Sequence, residues 1–281
     1  MVRKIGFWKM HGLGNDYIVI DNRSGALNED ELPSLAVKLC NRRLGIGADG
    51  LLLIYHSQKA DVKMRILNAD GSEAEMCGNG IRCIAKYCFE SGIVRKNLLL
   101  VETLAGVKTL DIKLEDATVK SVRVNMGSPS FEAEEIPMRW NGTFIDKPIQ
   151  AGGTTVRATA LSMGNPHCVV FVENVEDYPV EAIGPILENH ELFPKRTNVE
   201  FVQIVSRDKL KVRVWERGVG ETLACGTGAC ASVVAAKILG KVNEKVAVEL
   251  LGGELTIEYR NGGTVFMEGP TEKVFEGVIN L

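Results

Sequence analysis

The sequence predicts an α+β fold made of two similar domains. Two patterns and one repeat lead there. Many short segments alternate apolar and polar residues with period two, few carry a helical period, and one long motif occurs twice at an offset of about 150 residues. Strands in number around a few helices define the α+β class. A motif repeated across half the chain makes the halves two copies of one unit, with a boundary near residue 125.

In chain order, residues 32–40 carry a helical pattern of low regularity. Val62-Lys-Met-Arg-Ile-Leu67 alternates and reads as a half-buried strand. Ile81, Ile84, Ala85, Cys88 and Phe89 fall on one helical face, and Gly92 is placed to stop that helix. Val107-Lys-Thr-Leu-Asp-Ile-Lys-Leu114 and Val119-Lys-Ser-Val-Arg-Val124 are further strands. Residues 180–187 are a second irregular helical stretch. Lys211-Val-Arg-Val-Trp215 and Leu255-Thr-Ile-Glu-Tyr259 alternate again, and Asn261-Gly262-Gly263 after the latter is a hairpin turn. Residues 229–239 are apolar almost all round and end at Gly240, the pattern of a helix buried on every side.

The repeat aligns the two helices predicted to be buried. Asn68-Ala-Asp-Gly-Ser-Glu-Ala-Glu-Met-Cys77-Gly-Asn-Gly lies over Glu216-Arg-Gly-Val-Gly-Glu-Thr-Leu-Ala-Cys225-Gly-Thr-Gly, so that Glu73 falls on Glu221. An alternating strand precedes each copy. Upstream, Gly14-Asn15-Asp16 corresponds to Gly164-Asn165-Pro166.

Composition narrows the function. The chain has 281 residues, 45% hydrophobic and 25% charged, with 33 Lys+Arg against 36 Asp+Glu. A net charge of −3 lacks the basic excess of a nucleic-acid-binding surface. No apolar run reaches the roughly 18 residues of a membrane helix, and residues 1–15 have no continuous apolar stretch of the secretory kind. Seven cysteines, an odd number, do not form a disulfide framework. These features predict a cytoplasmic protein with reduced thiols and no membrane or nucleic-acid partner. The 29 glycines cluster, most tellingly around residues 71–80 and 218–228.

Each copy sets a cysteine directly before Gly-x-Gly and a helix. A helix N-terminus presents unpaired N–H donors and a partial positive charge, which bind a carboxylate and lower the pKa of a thiol. A thiol with the usual pKa of about 8.5 is a few per cent ionised at pH 7; lowered to about 7 it is half ionised and suits a general base. Duplicated domains usually pack about a pseudo-twofold axis, which would set Cys77 and Cys225 on either side of one bound carboxylate. One thiolate then removes an α-proton from one face while the other thiol protonates the opposite face, inverting the centre. No metal, redox group or other cofactor is called for.

In these motifs the sequence resembles the diaminopimelate epimerase family over essentially its whole length. The carriers are Lys9-Met-His-Gly-Leu-Gly-Asn-Asp16, Asn68-Ala-Asp-Gly-Ser72, Cys77-Gly-Asn-Gly80, Gly164-Asn-Pro-His167, Arg196-Thr-Asn-Val199 and Glu216 through Gly228. The resemblance implies that Cys77 and Cys225 are the acid–base thiols in epimerisation of LL-diaminopimelate to the meso form, a step of lysine and peptidoglycan precursor synthesis. It implies that the backbone at Gly78, Asn79, Gly226 and Thr227 holds the carboxylate at the reacting centre. It further implies that Asn15, Asn68, Asn165, Asn198, Glu216 and Arg217 grip the distal amino-acid end, and that His167 and Glu216 tune the thiols. The implied fold is two antiparallel barrel-like sheets, each around a central helix. They span residues 1–125 and 126–270, with residues 271–281 returning to the first, in a homodimer. No ligand contact is assigned to Ala48-Asp49-Gly50.

Other readings compete. A proline or hydroxyproline racemase of the same fold would use the same two thiols, but its substrate has no distal end for Glu216 and Arg217. A thiol–disulfide redox protein would cycle the Cys77/Cys225 pair. Cys40, Cys83, Cys88, Cys168 and Cys230 read as small core residues. Zinc is disfavoured, since there is no C-x₂-C pair and the four histidines are scattered. Gly-x-Gly lacks the rest of a dinucleotide fingerprint. His11, His56 and His190 read as local or surface residues.

Overall fold

The computed structural model describes residues 3–260 and 262–281. The chain divides into two compact units, one formed by the residues up to Val124 with Gly269–Leu281, the other by Asn125–Glu268.

The first unit opens with an antiparallel pair, β1 (Lys4–Gly12) and β2 (Asn15–Asp21). A 3-10 turn at Glu29–Glu31 leads into α1 (Leu32–Cys40), which carries the chain over to β3 (Gly50–Tyr55), parallel to β2. β4 (Val62–Asn68) returns antiparallel to β3, and a short β5 (Glu73–Ala74) folds back on β4. Then comes α2 (Gly78–Glu90), a crossover to β6 (Leu98–Thr103) parallel to β4, and the meander β7 (Gly106–Glu115) and β8 (Thr118–Gly127).

The second unit repeats this order. β9 (Lys147–Ala151) pairs with β10 (Thr154–Ser162), and β10 with β11 (Pro166–Phe171). After α3 (Val180–Glu188), β12 (Asn198–Ser206) runs parallel to β11, followed by β13 (Lys209–Glu216) and the short β14 (Gly220–Thr222). Then α4 (Gly226–Ile238) crosses to β15 (Lys245–Leu250), parallel to β13, and β16 (Gly253–Tyr259) and β17 (Val265–Gly269) complete the meander. The last strand, β18 (Glu272–Asn280), pairs antiparallel with β1, Lys4 opposite Asn280 and His11 opposite Glu272. It plays for β1 the part that β9 plays for β10.

Register repeats as well as order. Tyr17 lies opposite Gly50 as His167 lies opposite Asn198, and Leu51 faces Leu67 as Val199 faces Trp215. The sheets are antiparallel except where α1, α2, α3 and α4 make crossovers, because parallel neighbours need such a connection. Arg65 on β4 forks onto Glu73 of β5 at 2.6 Å, and Arg213 on β13 onto Glu221 of β14 at 2.6 Å. Each clamp fixes the hairpin that delivers the chain to a cysteine.

The period-two segments all lie in strands: residues 62–67 in β4, 107–114 in β7, 119–124 in β8, 211–215 in β13 and 255–259 in β16. The four helical stretches are α1 to α4. Gly92 and Gly240 take positive φ, +76° and +70°, just past α2 and α4, the left-handed exit that glycine makes without strain. In the turn between β16 and β17, Asn261 lies outside the described residues. β2, β3, β11 and β12 carry no clean alternation because both faces of their central residues are buried. Ile18, Ile20, Leu51 and Leu53 share a core with Leu32, Leu35, Ala36 and Leu39 of α1, while Tyr17 and Leu52 approach Gly80 of α2. α2 is wrapped by β1, β2, β3, β4 and β7, and α4 by β10 to β13, β15 and β16, so each is the central helix of a barrel-like sheet. Complete burial of each leucine or isoleucine there contributes about 1.5–3 kcal/mol.

The loop after α1 brings Arg42 and Asp49 to β2 and has no room for a side chain at Gly45. A Cβ there would stand 2.6 Å from the carbonyl oxygen of Leu39 and 2.9 Å from that of Asn41, both backbone. Gly45→Ala is therefore expected to destabilise the fold by about 1–3 kcal/mol, read as a lower midpoint in urea unfolding; an unchanged midpoint would contradict the packing described.

Candidate active site

Both cysteines of the repeated motif cap a central helix. Cys77 has an extended backbone (φ −136°) and precedes α2, where its Sγ accepts from Gly80 N at 3.5 Å. Cys225 is likewise extended (φ −118°) before α4, and its Sγ meets Thr227 Oγ1 at 3.5 Å. The small residues after each cysteine let the first helical turn approach the sheet. A Cβ on Gly80 would come 3.2 Å from Leu52, and one on Gly228 2.8 Å from Glu200 Oε1.

Around Cys77 the first unit assembles Asn15, Tyr17 and Asn79. Tyr17 Oη lies 2.9 Å from Cys77 Sγ and donates to Asn15 Oδ1 at 2.6 Å. Asn79 Nδ2 donates to the same oxygen at 3.3 Å. Asn15 Nδ2 in turn donates to Asp49 Oδ2 at 2.9 Å, and Asp49 accepts from Arg42 at 2.7 Å. Beneath the helix, fully buried Arg82 donates to Gly78 O, Asn79 Oδ1 and Pro270 O, tying the returning C-terminal segment to the capped turn. Asn68 ends β4 and donates to Ser72 Oγ at 2.9 Å, beside the Asp49 backbone, whose carbonyl accepts from Ala69 N.

Asp16 anchors this side. Burial pushes its carboxyl up, but bonds from Arg42 (2.7 Å) and Lys9 (2.5 Å) outweigh burial and hold it at about 2. Lys9, itself buried, also donates to the Gly47 carbonyl.

In the second unit Asn165 Nδ2 donates to Thr227 Oγ1 at 3.3 Å, and its Oδ1 accepts from His167 Nε2 at 3.0 Å. His167 Nδ1 lies within hydrogen-bond distance of Glu200 Oε1, 2.6 Å, both side chains wholly buried. Glu200 Oε2 has no hydrogen-bond partner among the described residues. Glu216 accepts from Thr222 Oγ1 at 2.6 Å and stands next to Cys225; burial pushes its carboxyl up. Asn198 accepts from Arg217 N at 2.9 Å and donates to Pro166 O, and the Arg217 guanidinium reaches Lys195 O. Cys225, Asn165, Thr227, His167 and Glu216 thus form one cluster, joined by Asn198 and Arg217 at the start of β12 and the end of β13. Gly226 is the first, buried residue of α4.

The helix-cap reading needs one correction. Burial pushes the Cys225 thiol well above its ordinary value, and the charges of Glu216 and Glu200 push it further; bonds from Thr227 and Gly228 N do not compensate. The helix N-terminus is there, but desolvation outweighs it. The five cysteines read as core residues are all buried and free. Among the described residues no group of three or more His, Cys, Asp or Glu is placed to hold a metal ion, and no helix is long and apolar enough to cross a membrane.

A sequence profile of diaminopimelate epimerase matches residues 7–132 and 159–274. The diaminopimelate epimerase of Pelotomaculum thermopropionicum is 52% identical over 272 residues, covering 96% of this chain and 97% of that protein. The chain belongs to the diaminopimelate epimerase family. The diaminopimelate epimerase of Moorella thermoacetica is also 52% identical, over 96% of this chain and 98% of its own. Relatives of this kind make the protein an isomerase of the epimerase class. A hydroxyproline epimerase from Agrobacterium vitis, solved with bound trans-4-hydroxy-L-proline, shares the fold: TM-score 0.74 at 17% identity, over 99% of this chain and 93% of that one. So does a PhzF-family phenazine biosynthesis protein of Bacillus anthracis: TM-score 0.71 at 18% identity, over 99% of both chains.

For this member of the family, sequence reasoning passes over Tyr17, Asp49 and Glu200. A signal for Tyr17 exists, since the offset of 150 that pairs Asn15 with Asn165 also pairs Tyr17 with His167. Nothing comparable marks Asp49 or Glu200.

Two expectations follow from this geometry. Iodoacetamide at pH 7 should label Cys77, which is partly exposed, faster than Cys225, which is 6% exposed and held as a thiol; peptide mapping showing equal rates would contradict it. Asp16 sits below the ordinary carboxyl value of about 3.9, so its pairing stabilises the fold above that pH, and the contribution is lost as pH falls from about 4 to about 2. Asp16→Asn should lower the urea midpoint at pH 7 and flatten its decline between those values.

Proposed function

We propose that this protein epimerises LL-2,6-diaminopimelate to meso-diaminopimelate, with Cys77 and Cys225 as the two acid–base groups. The observation that carries the reading is the equivalent placing of the two thiols, each capping the central helix of its own unit, in a chain half-identical to diaminopimelate epimerases along nearly its full length.

The reaction needs one thiolate and one thiol. The thiolate takes the α-hydrogen as a proton, the electron pair of the C–H bond passes into the adjoining carboxylate, and the other thiol gives its proton to the opposite face. At the end the ionised sulfur has changed, and the free enzyme must exchange a proton to reset. Burial and Glu216 favour the protonated form of Cys225, the form in which it gives a proton. The negative charge that builds on the carboxylate is met by the helix N-termini at Gly78, Asn79, Gly226 and Thr227, dipoles already aimed before the charge appears.

The distal end of the substrate carries an ammonium and a carboxylate. Arg217 supplies a planar fork for the carboxylate. Glu216, whose carboxyl is raised by burial, supplies a charge that an ammonium would keep ionised. Asn15, Asn68, Asn165 and Asn198 supply the remaining donors and acceptors, and His167 with Glu216 adjusts the proton affinity of the thiols. The reading includes no cofactor, a homodimer, a place in the cytoplasm, and an origin by duplication with copies at 1–125 and 126–270. The product serves lysine and peptidoglycan precursor synthesis.

Incubation with LL-diaminopimelate in D₂O tests it. Meso product carrying solvent deuterium at the inverted centre, with no added cofactor, is the expected outcome. Inversion of proline or 4-hydroxyproline instead would reject the substrate. Cys77→Ala and Cys225→Ala should each lower turnover by about 10²–10⁴-fold, the usual contribution of a positioned acid or base, with the unfolding midpoint nearly unchanged. Full activity in either variant would reject the two-thiol assignment.

A further inference from the structure

The inner face of β2 carries Tyr17 at the place where β11 carries His167, and each bonds the asparagine two residues before it, Asn15 and Asn165. On the neighbouring strand the equivalent residues are Leu52 and Glu200, each beside the third residue of its central helix. One frame therefore holds a phenol and a leucine in the first unit, and an imidazole and a carboxylate in the second. Glu200 takes up Nδ1 of His167. In the first unit the phenol oxygen instead lies 2.9 Å from Cys77 Sγ.

A phenol both donates and accepts. When Cys77 is a thiol, the Tyr17 O–H rests on Asn15 Oδ1 and the S–H donates to the phenol oxygen. When Cys77 is a thiolate, the O–H rotates about the C–O bond and donates to Sγ. No proton leaves the phenol oxygen in either state, and burial next to Cys77 keeps that oxygen protonated far above neutral pH. We infer that Tyr17 is a positioning residue for Cys77, a hydroxyl that bonds the sulfur in both protonation states and holds it in one place while its role alternates between acid and base. A fixed N–H donor such as that of Gly80, 3.5 Å away, favours the thiolate and cannot receive the S–H.

The other titratable groups near this pair are Cys83 and Arg82 on α2 and Asp49 in the loop before β3. Burial pushes Cys83 up to about 11, with Thr271 bonded to its sulfur, so it stays neutral while Cys77 titrates. The inference rests on the reading of Cys77 as an acid–base group.

Tyr17→Phe removes one oxygen and leaves the buried ring. The measurement is the pH dependence of iodoacetamide labelling of the Cys77 peptide by mass spectrometry, with the Cys225 peptide as internal reference. A charge-assisted bond to the thiolate is stronger than the neutral bond from the thiol. Its loss should raise the Cys77 midpoint by about one pH unit, a tenfold smaller thiolate fraction at pH 7, with Cys225 unmoved and kcat falling more than KM changes. 3-Fluorotyrosine at position 17 keeps the ring and makes the O–H a stronger donor, so it should move the midpoint the opposite way, and it decides the matter if Tyr17→Phe does not fold. A Cys77 profile that coincides with wild type in the folded variants would overturn the inference. Because labelling needs no turnover, it stands apart from the diaminopimelate assay: wild type inactive on that substrate with a shifted Cys77 profile in Tyr17→Phe would reject the function and keep the role of Tyr17.

Discussion

A helix enclosed by a sheet leaves the N–H groups of its first turn inside the protein, where water does not satisfy them, and the rest of this structure is arranged around that constraint. In each unit the first turn opens directly after a cysteine. Glycines at 78, 80, 226 and 228 bring the turn close to the sheet, and apart from Leu52 the side chains around it are polar or aromatic: Asn15, Tyr17 and Asn79 in one unit, Asn165, His167, Glu200 and Thr227 in the other. The same N–H dipoles that make the turn costly to bury make it a place to receive a carboxylate.

In the first unit the charged groups buried near the turn are held from several directions. Arg82 is wholly enclosed and donates to three carbonyl oxygens, one of them on the returning C-terminal segment. Asp16 is gripped by Lys9 and Arg42, and through Asp49 that network fixes the amide of Asn15. Together these groups hold the Asn15 amide that meets Tyr17. A charge with one partner removed in such surroundings would be left uncompensated, so the network holds together as a unit.

Duplication of topology has not meant duplication of chemistry. Both units share strand order, register, the arginine–glutamate clamp ahead of the cysteine and the asparagine on the first hairpin. They differ at two inner-face positions, Tyr17 against His167 and Leu52 against Glu200. The second unit gains buried charge around Cys225, which favours the neutral thiol. The first keeps an uncharged hydroxyl against Cys77, which serves sulfur in either state.

Sequence alone determined the strands that have one buried and one wetter face, such as residues 62–67 and 211–215, because alternation is the direct imprint of that environment. It also determined the repeated motif, the helix caps at Cys77 and Cys225 and the family, since these are carried by local motifs whose chemistry lies within a dozen residues. Tertiary structure decided the rest. β2, β3, β11 and β12 are buried on both faces along their central residues, so the periodic signal vanishes. Tyr17 meets Cys77 across 60 residues, Asp49 meets Asn15 across 34 and Glu200 meets His167 across 33, contacts that no local pattern encodes. The proton affinity of Cys225 was decided there too. A helix N-terminus, readable in the sequence, pulls it down, while the depth of burial and the carboxylates of Glu216 and Glu200 push it up, and only folding sets which of the two is larger.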